Sequence, residues 1–268
     1  MNQITTAPPA EFFGLYYSPW TVKAKWALDY CKVPYTYHEH LMIFGMPHLR
    51  CKMRRPFGDL NLPAMVAGNE RLDDSFKIAK YAHRQKPEIG LFPNGSDARI
   101  AEINALSERA LSAGRAILLY NYFGKGPFYK SEIKAARLAS LPKFIPAPLK
   151  VAALPLVTLA LDYVRKGFAT TARPRANHRA VLRGCLLEMR VLLNGRKTVL
   201  DTFSYADLAL AVVLQFASPA DTRFIPLSKA LRTIWGDVEL AREFADLVQW
   251  RDELLKTHLS SKLISPTL

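Results

Sequence analysis

A serine hydroxyl at a strand-to-helix junction is the group in this sequence best placed to do chemistry. Phe12–Tyr17 (FFGLYY) reads as a strand, with aromatic and aliphatic side chains around a lone Gly14. Ser18-Pro19 turns the chain. Val22, Trp26, Ala27 and Tyr30 then recur at helical spacing, with Lys23, Lys25 and Asp29 on the opposite side. Ser18 therefore stands at a helix N-terminus, where backbone N–H groups and the helix dipole favour an anion. A thiolate is one such anion, and a hydroxyl donating to it lowers the thiol pKa. The plainer role for Ser18 is an N-cap, since serine is a preferred cap and Ser-Pro often opens helices.

Other reactive side chains offer less. Cys31, Cys51 and Cys185 are widely separated, with no CxxC or Cys/His spacing, so we expect reduced thiols, no metal and a cytoplasmic protein. Cys31 falls late in the first helix, as buried filler rather than nucleophile. His38, His40 and His48 have no partner at metal-site spacing. The chain carries a formal charge of +14, and Lys130–Lys197 holds fourteen Lys or Arg against three acids, +11 of that total. So local a positive field points to an acidic ligand, nucleic acid, an anionic membrane surface or a solvated helical face. No RNP, KH or zinc signature supports nucleic acid. No basic n-region or apolar run opens the sequence, and no stretch of about 20 apolar residues follows, so neither a signal peptide nor a transmembrane helix is expected. Thr5–Ala10 reads as a disordered lead-in.

The elements that must position Ser18 follow from pattern. Pro34–Leu41 alternates as a second strand, completing a βαβ unit with a right-handed crossover. Met42–Phe57 is loop plus a short basic helix with Arg50, Lys52, Arg54 and Arg55. Leu62–Val66 is a short strand, Gly68-Asn69 a turn, and Glu70–Leu72 the returning strand. Asp73-Asp74-Ser75 caps a helix with Phe76, Ile78, Ala79 and Ala82 on its apolar face. The order β-α-β-α-β-β-α is an α/β thioredoxin-like layout, expected over residues 1–86. Pro87–Asn94 lacks helical period and opens a linker placed at 87–96.

Residues 97–268 read as an all-α domain. Asp97–Tyr120 is one long helix. An insertion at about 125–171 is broken by Pro127, Pro142, Pro146, Pro148 and Pro155. Within it Val151–Leu161 is almost wholly apolar. It is too short to span a bilayer but able to lie on one, and we favour a buried helix. Arg175–Leu193 is a basic amphipathic helix, Ser204 with Asp207 a capping box before an apolar run, and Glu239–His258 the last helix.

YYSPWTVKAKWALD, LPAM and LDDSFKIAKYA, with FSYADLALA later, resemble the cytosolic glutathione transferase superfamily in its serine-type, bacterial-like form, here with an unusual basic insertion. The resemblance covers residues 1–86 and about 177–250. It implies a cis Pro63, with the Leu62 backbone pairing with the cysteinyl part of glutathione. It implies that Asp74 and Ser75, where the family usually has Glu-Ser, hold the γ-glutamyl end. It places Ser18 at the thiolate-stabilising hydroxyl, with Tyr16 or Tyr17 as the alternative donor; on alternation only one of the two could compete. With no cysteine at that position, disulfide chemistry is not expected. The approach from Gly58 to Pro63 is two residues longer than the family's, and Lys52, Arg54 or Arg55 could grip the glycine carboxylate.

The resemblance thus implies a glutathione transferase acting in detoxification, with halides, epoxides, ethers and hydroperoxides all open as acceptors. A glutathione-dependent lyase, etherase or peroxidase is the enzymatic alternative. The partners implied are glutathione as co-substrate, a small hydrophobic or anionic electrophile and a second copy in a homodimer. Tyr17, Trp20, Tyr120, Tyr122 and Phe123 are candidates to line the electrophile pocket, expected between the domains. Two rivals remain: a non-catalytic binding or scaffold protein on the same fold, and a membrane-surface protein using the basic insertion.

Overall fold

The computed structural model of the chain describes residues 9–123, 133–135, 137–138, 141, 145–167 and 174–259. The chain divides into two compact units, Met1–Asn94 and Gly95–Leu268. Most of the expected lead-in over Thr5–Ala10, and Pro127 and Pro142 of the insertion, lie outside the described residues.

The first unit is a four-stranded sheet with helices on its faces. Its strands are β1 (Ala10–Gly14), β2 (Tyr35–Glu39), β3 (Ala64–Ala67) and β4 (Glu70–Leu72), in the order β2-β1-β3-β4. Its helices are α1 (Pro19–Tyr30), α2 (Met42–Met53) and α3 (Ser75–Gln85). β1 runs parallel to β2 and antiparallel to β3, and β3 is antiparallel to β4. Alternation along β1 sends Phe13 to one face, where it packs with Ala64 of β3 and with Leu49 and Met53 of α2. Phe12 and its register partner Met65 face the other side, the side of α1 and α3, which pack on each other.

β1 stops at Gly14, three residues before the sequence pattern suggests, and the aromatic run continues as a turn. Ser18 N–H donates to Leu15 O at 2.9 Å, and Leu15 N–H donates to Thr21 Oγ1 of α1 at 3.2 Å. These bonds take up backbone groups that a longer strand would give to the ladder. Thr21 is fully buried, and a Cβ on Gly14 would lie 2.3 Å from its methyl group, so only glycine admits this approach of α1 to the strand end. α2 is a longer helix than the sequence suggests, with Pro47 inside it.

The second unit is helical among the described residues. It contains α4 (Asp97–Tyr122), α5 (Ala147–Ala152), α6 (Leu154–Gly167), α7 (Arg175–Leu193), α8 (Tyr205–Ala211), α9 (Lys229–Trp235), α10 (Val238–Glu243) and α11 (Ala245–His258). α8 is buried along its whole length and continues into a 3-10 segment, Val212–Phe216. It is tied to α4 by Ser107 Oγ donating to Ala209 O at 2.5 Å and by Tyr205 Oη donating to Asn104 Oδ1 at 3.0 Å. The capping box at Ser204 is present, and fully buried Asp207 accepts from the N–H groups of Ser204 at 2.9 Å and Val199 at 2.7 Å.

Two expectations are corrected here. The last helix, read as Glu239–His258, is two helices, α10 and α11, parted at Phe244, whose side chain is fully buried and whose backbone leaves helical conformation. Val151–Leu161 is not a buried helix: Val157, Ala160 and Leu161 are buried, but Val151, Leu156 and Leu159 are exposed. The run breaks at Ala153, between α5 and α6, and α6 packs against α4.

The basic stretch is partly balanced through tertiary contacts. Arg179 pairs with Asp237 and Glu239, Arg183 with Glu243, and Arg190 with Asp246. Arg109 of α4 pairs with Glu188. Much of the charge on α7 therefore meets acids that come later in the chain.

Candidate functional site

Strand register gathers the candidate residues of the first unit at one end of the sheet. β1 runs toward this end and delivers the Leu15–Ser18 turn. Phe13 is opposite Ala64, so Leu62-Pro63, just before β3, lies beside that turn. Met65 is opposite Leu72, so β4 also ends here and hands on to Asp73, Asp74 and Ser75. Gly14 is opposite Glu39, which brings the end of β2 to the same place.

Ser18 precedes α1 in extended conformation, but its side chain makes no capping hydrogen bond. The plain capping role is therefore not the one its hydroxyl performs. Pro19 occupies the first helical position and the first turn contains no acid, so no carboxylate offsets the positive end of the helix dipole. Tyr16 and Tyr17 lie in the turn, both half-buried and edge-to-face at 5.1 Å. The alternation argument that set one inward and one outward does not apply to them, because the strand has already ended. Trp20, half-buried, follows in the first turn of α1.

The Leu62-Pro63 peptide bond is cis. Asp74 is the N-cap of α3, its Oδ1 accepting from Lys77 N–H at 2.9 Å. One oxygen of a carboxylate in that role leaves the other able to accept from a cation. Ser75 is buried, and among the described residues its Oγ has no hydrogen-bond partner. A buried hydroxyl without a partner costs free energy, about 1–3 kcal/mol, which a ligand's polar group can recover.

The basic residues around the loop are mostly engaged. Lys52 bonds Glu11 at 2.8 Å and holds that carboxyl below its usual pKa. Arg55 bonds Asp73 at 2.5 Å and Asp59 O at 2.9 Å, tying the approach to Pro63 to the α3 N-terminus. Arg50 donates to Arg55 O, Pro56 O and Gly58 O, the last at 2.9 Å. Arg54, in left-handed conformation at the end of α2, has no such bond among the described residues. Of the three cations considered for a glycine carboxylate, it alone is uncommitted.

Sequence reasoning missed Glu39. Its carboxylate accepts from Tyr16 N–H at 3.2 Å and from Tyr37 Oη at 2.5 Å, so it fastens the turn that carries Ser18. Burial pushes Glu39 up to about 7, against the lowering effect of those two bonds. Burial, then the Glu39 charge, also raises the Tyr16 phenol pKa. A glutamate at a strand end carries no sequence signal of such burial; only the parallel register opposite Gly14 reveals it.

Cys31 is fully buried, and burial pushes its thiol up to about 11, as suits filler. Among the described residues no cluster of His, Cys, Asp or Glu could hold a metal, and no helix is long and apolar enough to cross a membrane. In the second unit Tyr122 is buried, Phe123 lies under the Arg165 guanidinium at 4.7 Å, and Tyr120 lies 6.2 Å from the His178 ring.

Comparison with known proteins bears on this arrangement. Residues 17–85 match the family model described as glutathione S-transferase, N-terminal domain. Three solved structures match over 93–97% of the chain. A glutathione transferase from Phanerochaete chrysosporium is 18% identical, covering 97% of this chain and 100% of its own, with TM-score 0.59. One from Methylobacterium radiotolerans, in complex with glutathione sulfonate, is 15% identical, covering 93% and 92%, with TM-score 0.57. Glutathione S-transferase I from mais, in complex with an atrazine glutathione conjugate, is 15% identical, covering 97% and 100%, with TM-score 0.58. The fold is that of the glutathione transferases. A search of curated proteins returns no match. The matched residues take in Ser18, the cis Pro63 and the cap of α3, three parts of the gathered sheet end.

Proposed function

We propose that the first unit binds glutathione and that the protein transfers it to an electrophilic carbon. The observation that carries this reading is the gathering of Ser18, Leu62-Pro63 and Asp74-Ser75 at one sheet end, with the Ser75 hydroxyl buried and unpartnered. In the proposed complex the Leu62 backbone pairs with the cysteinyl part, and Asp74, Ser75 and the α3 N-terminus hold the γ-glutamyl ammonium and carboxylate. Arg54 is the proposed partner of the glycine carboxylate. The bound structures of two fold neighbours, one with glutathione sulfonate and one with a glutathione conjugate, support glutathione as the ligand class.

Ser18 is proposed to donate its hydroxyl hydrogen to the sulfur, with the unopposed N-terminus of α1 behind it. The free thiol titrates near ~8.5, and lowering it by ~2 units takes ~2.7 kcal/mol of preference for the thiolate. The thiol proton leaves to solvent, the sulfur lone pair forms the S–C bond, and the leaving group departs with the electrons of the bond that breaks. The test is the absorbance of bound thiolate against pH. Ser18→Ala should raise the midpoint by at least about one pH unit. A midpoint unchanged in Ser18→Ala but shifted in Tyr16→Phe or Tyr17→Phe would move the role to a phenol.

A further inference from the structure

We propose that the outer face of α6, together with α5, docks on an anionic lipid surface. α6 is apolar on two sides. Val157, Ala160 and Leu161 are buried on its inner side, where it packs against α4. On its outer side Leu156, Leu159 and Tyr163, spaced three and four residues apart, form one stripe and are 40%, 62% and 74% exposed. α5 adds Leu149 and Val151, 60% and 49% exposed. Five of the nine exposed large hydrophobic residues of the described chain thus fall within residues 149–163. Single exposed apolar residues are ordinary, whereas a contiguous set marks an interaction surface.

Length and charge select the occupant. At 14 residues α6 is too short to cross a bilayer, which takes about 20, but suits a helix lying in the interface plane. Lys150 stands between Leu149 and Val151 and has no acid partner among the described residues. Lys166 follows Tyr163 at the far end of the stripe, paired with Asp162 yet with a side chain 72% exposed. Tyrosine and lysine there can keep their polar tips in water while their stems enter the headgroup layer. The whole chain carries +14, so a second copy on this face would bring a like charge, whereas anionic headgroups would neutralise it.

The test is co-sedimentation of the full chain with vesicles of phosphatidylcholine, alone or mixed with phosphatidylglycerol. The wild type should pellet with the mixed vesicles, much less with phosphatidylcholine alone, and less as salt rises. Leu156→Gln with Leu159→Gln should cut partitioning roughly tenfold, because those side chains supply the inserted apolar area. Both positions are solvent-facing, so the thermal melt should not move; Lys150→Glu, a milder change, should also weaken binding to the mixed vesicles. No pelleting with phosphatidylglycerol, or equal pelleting of wild type and double variant, would overturn the proposal. So would self-association without vesicles that the double variant abolishes, since a second copy would then cover the face.

Discussion

Glu39 holds the turn that presents Ser18, and it does so with a charge that folding disfavours. Its carboxyl accepts from Tyr16 N–H and Tyr37 Oη while burial raises its pKa. The folded-state value lies above the unfolded one, so the folded protein binds the extra proton between them and loses stability as pH rises through that window. A climb from 4.5 to about 7 corresponds to about 3 kcal/mol, fully expressed only above pH 7. Urea unfolding of Glu39→Gln and wild type should therefore give similar stabilities near pH 4.5, with the variant gaining by up to about 3 kcal/mol near pH 8. A difference that stays flat over that range would mean that Glu39 does not titrate there. Ser18 was visible in the sequence because Ser-Pro marks a helix start by local chemistry. Glu39 was not, because its burial depends on a register partner 25 residues earlier in the chain, Gly14.

At the scale of elements, the strand–helix–strand order and the cap of α3 were legible because each is fixed by residues within a few positions of one another. Arg175–Leu193 was legible to the residue, its charge and apolar stripe both being local. What was not legible was decided at a distance. β1 is cut short by Thr21, the last helix is split at Phe244, and the charge of α7 is met by acids at 237–246. Asp207 is the element-scale feature most open to test. It is fully buried, burial pushes it up to about 6, and it accepts from two backbone N–H groups and the Ser204 hydroxyl. Asp207→Ala leaves those donors buried without an acceptor, so unfolding in urea should show a loss of about 2–4 kcal/mol. A loss below about 0.5 kcal/mol, within the range of neutral surface changes, would contradict this role.

At the scale of the molecule, the two units carry different features. The first unit holds every residue of the proposed glutathione site, and the family match lies wholly within it. The second holds the apolar outer face of α5 and α6, which the proposed thiol chemistry does not use. The central claim is that the first unit binds glutathione at the sheet end where Ser75 is buried without a partner. Isothermal titration of the full chain with glutathione, beside the Asp74→Ala, Ser75→Ala double variant, tests it most directly. The wild type should bind saturably and the variant at least ~30-fold more weakly, since hydrogen bonds to charged groups contribute about 1.5–3 kcal/mol each. No heat of binding from the wild type at millimolar glutathione, or equal affinity in the two proteins, would contradict it.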